Sequence, residues 1–202
     1  MTELEKMLDS QIYDYTDIEI QKLQKRTFDL CLEINQLRRD DPHYIEVLDQ
    51  ILPHRNGAFI NTPLRFEYGF PVKFGKNCFA NFNFTVLDSA PITIGDNVMF
   101  GPNVTLATPV HPLLVEERRP FINEKGLTTD KEYALPITIG NDVWVASNVT
   151  ICGGVTIGSG TVIGAGSVVT KDIPSGVLAA GNPCKVIRVL TEKDSLKYRL
   201  KK

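Results

Sequence analysis

From Pro136 to Pro174 the chain repeats itself every six residues: Ile139-Gly140, Val145-Ala146, Ile151-Cys152, Ile157-Gly158, Ile163-Gly164 and Val169-Thr170 each set an aliphatic residue before a small one. Four positions after each aliphatic comes a second in-phase set, Val143, Val149, Val155, Thr161, Ser167 and Ile173, all β-branched or small. Neither a single helix nor an alternating strand has this period. It is the period of a β-solenoid in which each hexad supplies one short strand and one turn, and three hexads close a triangular coil. The aliphatics then stack as inner columns, and the Gly, Asn and Asp residues between them fall at corners that need a small or φ-positive residue. A Val- and Gly-rich β-sandwich has no reason to hold such a phase.

The same register returns upstream in Ile94-Gly95, Phe100-Gly101 and Leu106-Ala107, and earlier in Phe74-Gly75, Ala80-Asn81 and Val86-Leu87. Through Ser89-Ala90-Pro91 the phase slips by two, which predicts a slightly longer corner there. Residues 1–58 read differently, with Ile12, Ile18, Ile20, Leu23, Phe28, Leu30, Leu32, Ile34 and Leu37 at helical spacing and Asp41-Pro42 as a helix start. Two or three helices are expected, capping a mainly β solenoid over 59–184. Between Pro109 and Pro136 the hexads stop, and the segment reads as an extruded functional loop, with a tolerated surface insertion as the plainer alternative. Residues 185–202 form a tail in which Val186, Ile187 and Val189 mark a short strand and the last residues look helical and basic.

Composition narrows function by exclusion. A net charge of -2 provides no global basic field for nucleic acid or an anionic membrane. No apolar run approaches the ~20 residues of a membrane span, and the start MTELEKMLDS is charged and amphipathic, unlike a signal peptide, so a cytoplasmic protein is expected. Cys31, Cys78, Cys152 and Cys184 lie far apart with no CxxC, which gives neither a zinc site nor a disulfide framework. They read as reduced, with Cys152 a packing residue of a hexad. Of three histidines, His43 and His54 lie in or beside the helical region, and only His111 lies in the β part. One histidine cannot build a histidine-ligated zinc centre, so no metal is expected. A single neutral imidazole suits proton abstraction from a hydroxyl.

Several runs are specific in combination: FANFNFTVLD (Phe79 to Asp88), PITIGDNVMFGPNVTLAT, His111-Pro112, LPITIGNDVWVASNVTICGGVTIG, VIGAGSVVTKDIP and AAGNPCKVIR. Together they resemble the maltose and galactoside O-acetyltransferase family over nearly the whole chain. The resemblance implies a left-handed parallel β-helix, an exception to the right-handed crossover rule, working as a homotrimer on acetyl-CoA and a small hydroxylated acceptor such as a sugar. It makes His111 the base that deprotonates the acceptor for direct attack on the thioester, and puts Asn81 beside the acceptor to stabilise the oxyanion. By spacing alone Asn81 reads equally as a φ-positive corner residue. The acceptor side is expected to include Tyr15, Glu67, Asp88 and Ser89. Three of these depart from the galactoside enzymes, which carry an acidic residue where Ser89 stands, a serine at Glu67 and an aspartate at Tyr15. Ser147, Ala165, Thr170, Lys171, Lys185 and Arg188 match the coenzyme contacts, Lys185 standing where arginine is frequent. By sequence alone, a solvated edge of the last coil is the commoner explanation of the basic members Lys171, Lys185 and Arg188. Two rival functions are acetylation of an antibiotic or other xenobiotic, and a non-catalytic trimeric scaffold.

Overall fold

The chain is described by a computed structural model covering residues 1–199. Three helices come first. Helix α1 (Glu3–Leu8) opens on a capping box between Thr2 and Glu5. Helix α2 (Ile18–Ile34) is capped by Asp17, and α3 (Pro42–Ile51) by Asp41 with Pro42 in its first turn.

From Phe59 the chain winds into a triangular parallel β-helix. Its first face stacks Phe59–Ile60, Phe79–Ala80, Met99–Phe100, Trp144–Val145, Val162–Ile163 and Val177–Ala180, with Lys185–Val189 added antiparallel at the end. The second face stacks Leu64–Phe66, Phe84–Leu87, Thr105–Ala107, Thr150–Cys152 and Val168–Val169. The third stacks Val72–Phe74, Ile92–Ile94, Ile137–Ile139 and Thr156–Ile157.

The hexad aliphatics are the inner columns. Ile139 pairs with Ile94 and Ile157, Val145 with Phe100 and Ile163, and Ile151 with Leu106 and Val169, all of them buried. The second set is buried as well. Its polar members are satisfied: Thr161 donates to the Pro174 carbonyl at 2.8 Å and Ser167 to that of Gly164 at 2.5 Å. Successive coils in the regular part are 18 residues apart, as Ile139 and Ile157 are, whereas Phe74 and Ile94 are 20 apart. The two extra residues sit in the corner between second and third faces, where the phase slip predicts them.

The helices close the N-terminal end. Asn35 forms a two-way clamp on Leu64, donating to its carbonyl and accepting from its amide at 2.9 Å each, so the first strand of the second face has no bare edge there. Tyr44 donates to the Ile60 carbonyl at 2.5 Å and Thr27 to that of Tyr68 at 2.8 Å. The C-terminal strand Lys185–Val189 matches the expected short strand, but all five residues are exposed. Helix α4 (Val115–Arg118) lies in the extruded loop and α5 (Leu196–Arg199) in the tail, whose residues 200–202 fall outside the described part. All four cysteines are free, and Cys152 pairs with Ala107 in a small-residue column. Among the described residues no helix is long and apolar enough to cross a membrane.

Candidate active site

The extruded loop leaves the corner between the second and third faces and returns to it. Its neck is a two-residue antiparallel ladder in which Val110 faces Tyr133 and Pro109 faces Ala134. One step beyond that ladder, the residue after Val110 meets the residue before Tyr133. These are His111 and Glu132, and His111 Nε2 lies 3.6 Å from Glu132 Oε2. Asp130 flanks the other side of the ring, its Oδ1 3.5 Å from His111 Nδ1. That Oδ1 is buried and takes no hydrogen bond from the described residues. Burial pushes the Glu132 carboxyl up, while the phenol of Tyr13 and the nearby His111 oppose the rise. Each ring nitrogen of His111 thus faces one carboxyl group.

Below His111, in the two preceding coils of the same corner, lie Glu67, Asp88 and Ser89. Asp88 is fully buried and holds the corner together: Oδ1 accepts from the backbone N–H of Glu67 and Tyr68 at 3.0 Å each, and Oδ2 from Gly69 at 2.6 Å. Gly69 has φ +77, and a Cβ there would meet the Ile51 carbonyl oxygen at 2.0 Å, so the corner presses directly on the end of α3. Burial drives the Asp88 carboxyl up to about 6, against the three amides that favour its charged form. Glu67 accepts from Gln24 at 2.9 Å and from the Ser89 hydroxyl at 3.4 Å. Burial, with Asp88 and Glu132 nearby, raises its carboxyl to about 7. Glu67 also borders a groove of about 760 Å³ between α2 and the second face, lined further by Gln24, Phe28 and Arg65. Tyr15 packs instead against the apolar cluster of Met7, Tyr13, Ile20 and Tyr68. Two residues earlier, Tyr13 donates its phenol to Glu132 Oε1.

Above His111, the last coil of this corner carries Thr170 and Lys171, both exposed. Asn81, Ser147 and Ala165 occupy a different corner, the one between the first and second faces. One chain therefore does not bring Asn81 to His111. The φ-positive position of that turn is taken by Asn83, not Asn81. Asn81 Oδ1 accepts from the Phe82 amide at 2.9 Å and from Asn61 at 3.3 Å, so its Nδ2 is the half that can address a ligand. Lys185 and Arg188 lie on the terminal strand, where Arg188 forms a forked pair with Asp194 at 2.5 and 2.7 Å. Around the predicted His111 the structure gathers three residues that the sequence did not single out, Glu132, Asp130 and Tyr13. The signal for Glu132 was present in the loop, since a neck that leaves and rejoins one corner must pair its two arms antiparallel.

A parallel β-helix of hexads with a histidine-carrying loop on one corner defines a class, the hexapeptide-repeat transferases. The family pattern described as bacterial transferase hexapeptide (six repeats) matches residues 136–171, and that described as hexapeptide repeat of succinyl-transferase matches 91–111. A galactoside O-acetyltransferase of Escherichia coli (strain K12) is 48% identical over 141 residues, which are 70% of this chain and 65% of that enzyme. The crystal structure of a maltose O-acetyltransferase from Clostridium difficile superposes with a TM-score of 0.85 at 38% identity, over 95% of this chain and 99% of that one. A hexapeptide-repeat acetyltransferase from Vibrio cholerae, complexed with acetyl coenzyme A, gives 0.83 at 36% identity over 95% and 100%. The chain belongs to the hexapeptide-repeat acetyltransferase family and is of the maltose and galactoside O-acetyltransferase type.

Proposed function

We propose that the protein is an acetyl-CoA-dependent O-acetyltransferase acting on a hydroxyl of a small sugar or glycoside, with His111 as general base. The observation that carries this reading is the imidazole held between Asp130 and Glu132 at the mouth of the loop. Bound acetyl-CoA supplies an acetyl group already activated as a thioester. The chain's own residues then have three tasks. His111 takes the proton from the acceptor hydroxyl, so that the oxygen attacks as an alkoxide-like nucleophile. The two carboxylates hold the resulting imidazolium until it returns the proton to the departing thiolate. The Asn81 amide donates to the developing oxyanion. No covalent enzyme intermediate is required.

The upper coils fit a coenzyme. On the corner between first and second faces they carry small side chains, Ala146-Ser147 and Gly164-Ala165-Gly166, and a Cβ added at Gly166 would meet nothing within 4 Å. That is an open track beside a backbone edge for a pantetheine arm. Thr170, Lys171, Lys185 and Arg188 lie at the same end of the helix and offer hydroxyl and cationic groups for its phosphates. Glu67, Asp88 and Ser89 belong to the acceptor end, Asp88 by shaping the corner from beneath. Tyr15 would act through its packing.

The working unit in this reading is a homotrimer. Each of the two corners carries acceptor-level residues low and donor-level residues high, so a second copy, its axis parallel, sets Asn81, Ser147 and Ala165 beside the first copy's His111, Thr170 and Lys171. The outward column Phe59, Phe79, Met99, Trp144, Val162 and Leu178 is apolar, with Met99 51% and Trp144 48% exposed on one chain. The corresponding column of the third face is Lys73, Thr93, Thr138 and Thr156. An apolar face of this kind belongs against another copy.

Release of free coenzyme A with maltose and with a methyl galactoside tests the activity, and the absence of release with every sugar hydroxyl offered would overturn it. Mixing His111→Ala with Asn81→Ala subunits tests the shared site. Inactive parents should regain about a quarter of wild-type turnover on random reassembly, because each site draws the two residues from different copies. A mixture that stays inactive while the mixed oligomers form would refute sharing.

A further inference from the structure

Tyr13, Glu132 and His111 lie side by side across one extended ladder. The neck of the loop ends with His111 opposite Glu132, and on the other side of Glu132 an isolated antiparallel bridge attaches Tyr13. The backbone N–H of Tyr13 donates to the Glu132 carbonyl at 3.2 Å. Its phenol donates to Glu132 Oε1, while Glu132 Oε2 is the oxygen that faces His111. The carboxylate is thus divided, one oxygen for the helical region and one for the imidazole.

We infer that Tyr13 is a positioning residue for the transfer reaction, holding the Glu132 carboxylate against His111 through its phenol. The inference rests on the reading of His111 as general base. Three observations favour this role. Tyr13 is 2% exposed and wedged among Met7, Ile20 and Tyr68, so its phenol has a fixed direction. Glu132 needs such a hold, because Asp130 stands two residues away on the same ring and two carboxylates around one neutral imidazole repel each other. Finally, the loop is fastened to the helical region by other bonds. Asn123 donates to Asp14 at 2.8 Å and to Thr16 at 3.0 Å, Thr129 to Asp14 at 3.2 Å, and Lys125 to Asp17 at 3.2 Å. The loop thus has four ties besides the Tyr13 phenol, whose own bond goes to the carboxylate that faces His111. Without it, Glu132 Oε1 is a half-buried oxygen with no donor, and the side chain gains by turning toward water.

The test is a double-mutant cycle between Tyr13→Phe and Glu132→Gln, measured as steady-state rates with acetyl-CoA and whichever of maltose or methyl galactoside is turned over. Tyr13→Phe should lower kcat roughly tenfold, with the KM for acetyl-CoA and the melting temperature held near wild type. Glu132→Gln should fall by a similar factor, and the double variant should be no slower than Glu132→Gln alone, since Tyr13 acts through that carboxylate. Independent, multiplying losses would overturn the inference. So would a Tyr13→Phe enzyme at full speed beside a slow Glu132→Gln enzyme. If Tyr13→Phe does not fold, 4-fluorophenylalanine at position 13 keeps nearly the shape of tyrosine and removes the donor; an unchanged kcat there would be equally fatal. Full turnover in both His111→Ala and Glu132→Gln is a different result, which removes the base reading itself.

Discussion

Two corners of the same solenoid solve the same turning problem in different ways. Between the first and second faces the turn is repeated in three successive coils: Asn83, Asn103 and Asn148 all sit at φ 59, and their amides form a ladder, Asn83 to Asn103 at 2.8 Å and Asn103 to Asn148 at 3.0 Å. Between the second and third faces each coil turns differently. The corner is lengthened at Glu67–Gly69 and again at Asp88–Ala90, opens into the loop after Thr108, and tightens to Gly153-Gly154 above. The regular corner is stabilised by its own side chains. The irregular one is stabilised from outside, by Asp88 beneath, by the Thr108 hydroxyl on the Ala90 amide at 3.0 Å, and by the end of α3 against Gly69. The departures from the repeat gather titratable groups in one place, because only there does the chain have spare residues that need not fill a column.

Substitutions at the two corners should have separable effects. The largest effect should come from His111→Ala at the irregular corner, with turnover falling about 10²–10⁴-fold while acetyl-CoA affinity and assembly persist. A variant with near wild-type kcat would take the chemistry away from that corner. Next is Asp88→Ala, which strips three buried amides of their acceptor and should cost at least about 3 kcal/mol in chemical denaturation. At the regular corner Asn148→Ala should cost less, about 1–3 kcal/mol for a left-handed alanine and a broken rung, and leave kcat unchanged. If Asn148→Ala proves the more damaging of the two, the external support of the irregular corner has been overrated.

The smallest effect concerns pH. Burial raises the Glu67 carboxyl to about 7 from its ordinary 4.5, so the folded chain holds that proton more tightly than the unfolded chain does. Its ionisation therefore costs stability as pH rises from about 4.5 to 7. Glu67→Gln should remove that decline, seen as a flatter dependence of the denaturation midpoint on pH in this window. Parallel profiles for wild type and variant would show that Glu67 is well solvated.

The periodic part of the molecule is legible in the amino-acid sequence. Six-residue phasing named the inner columns residue by residue, from Ile139 to Ile173, and its one slip located the longer corner, because period is a local property that every hexad states again. The helix start at Asp41-Pro42 is similarly local, whereas the Asp17 cap came from the structure. Which corner each candidate residue occupies depends on the coiling of the whole chain. Nothing in the spacing of Asn81 and His111 says that they belong to different edges of the triangle, since the number of residues per coil and the extruded loop must both be known first. Nor does the position of Tyr13 in the chain announce Glu132 as its partner, 119 residues away. That contact exists because the helices fold back over the loop, and packing of this kind leaves no period for a sequence to display.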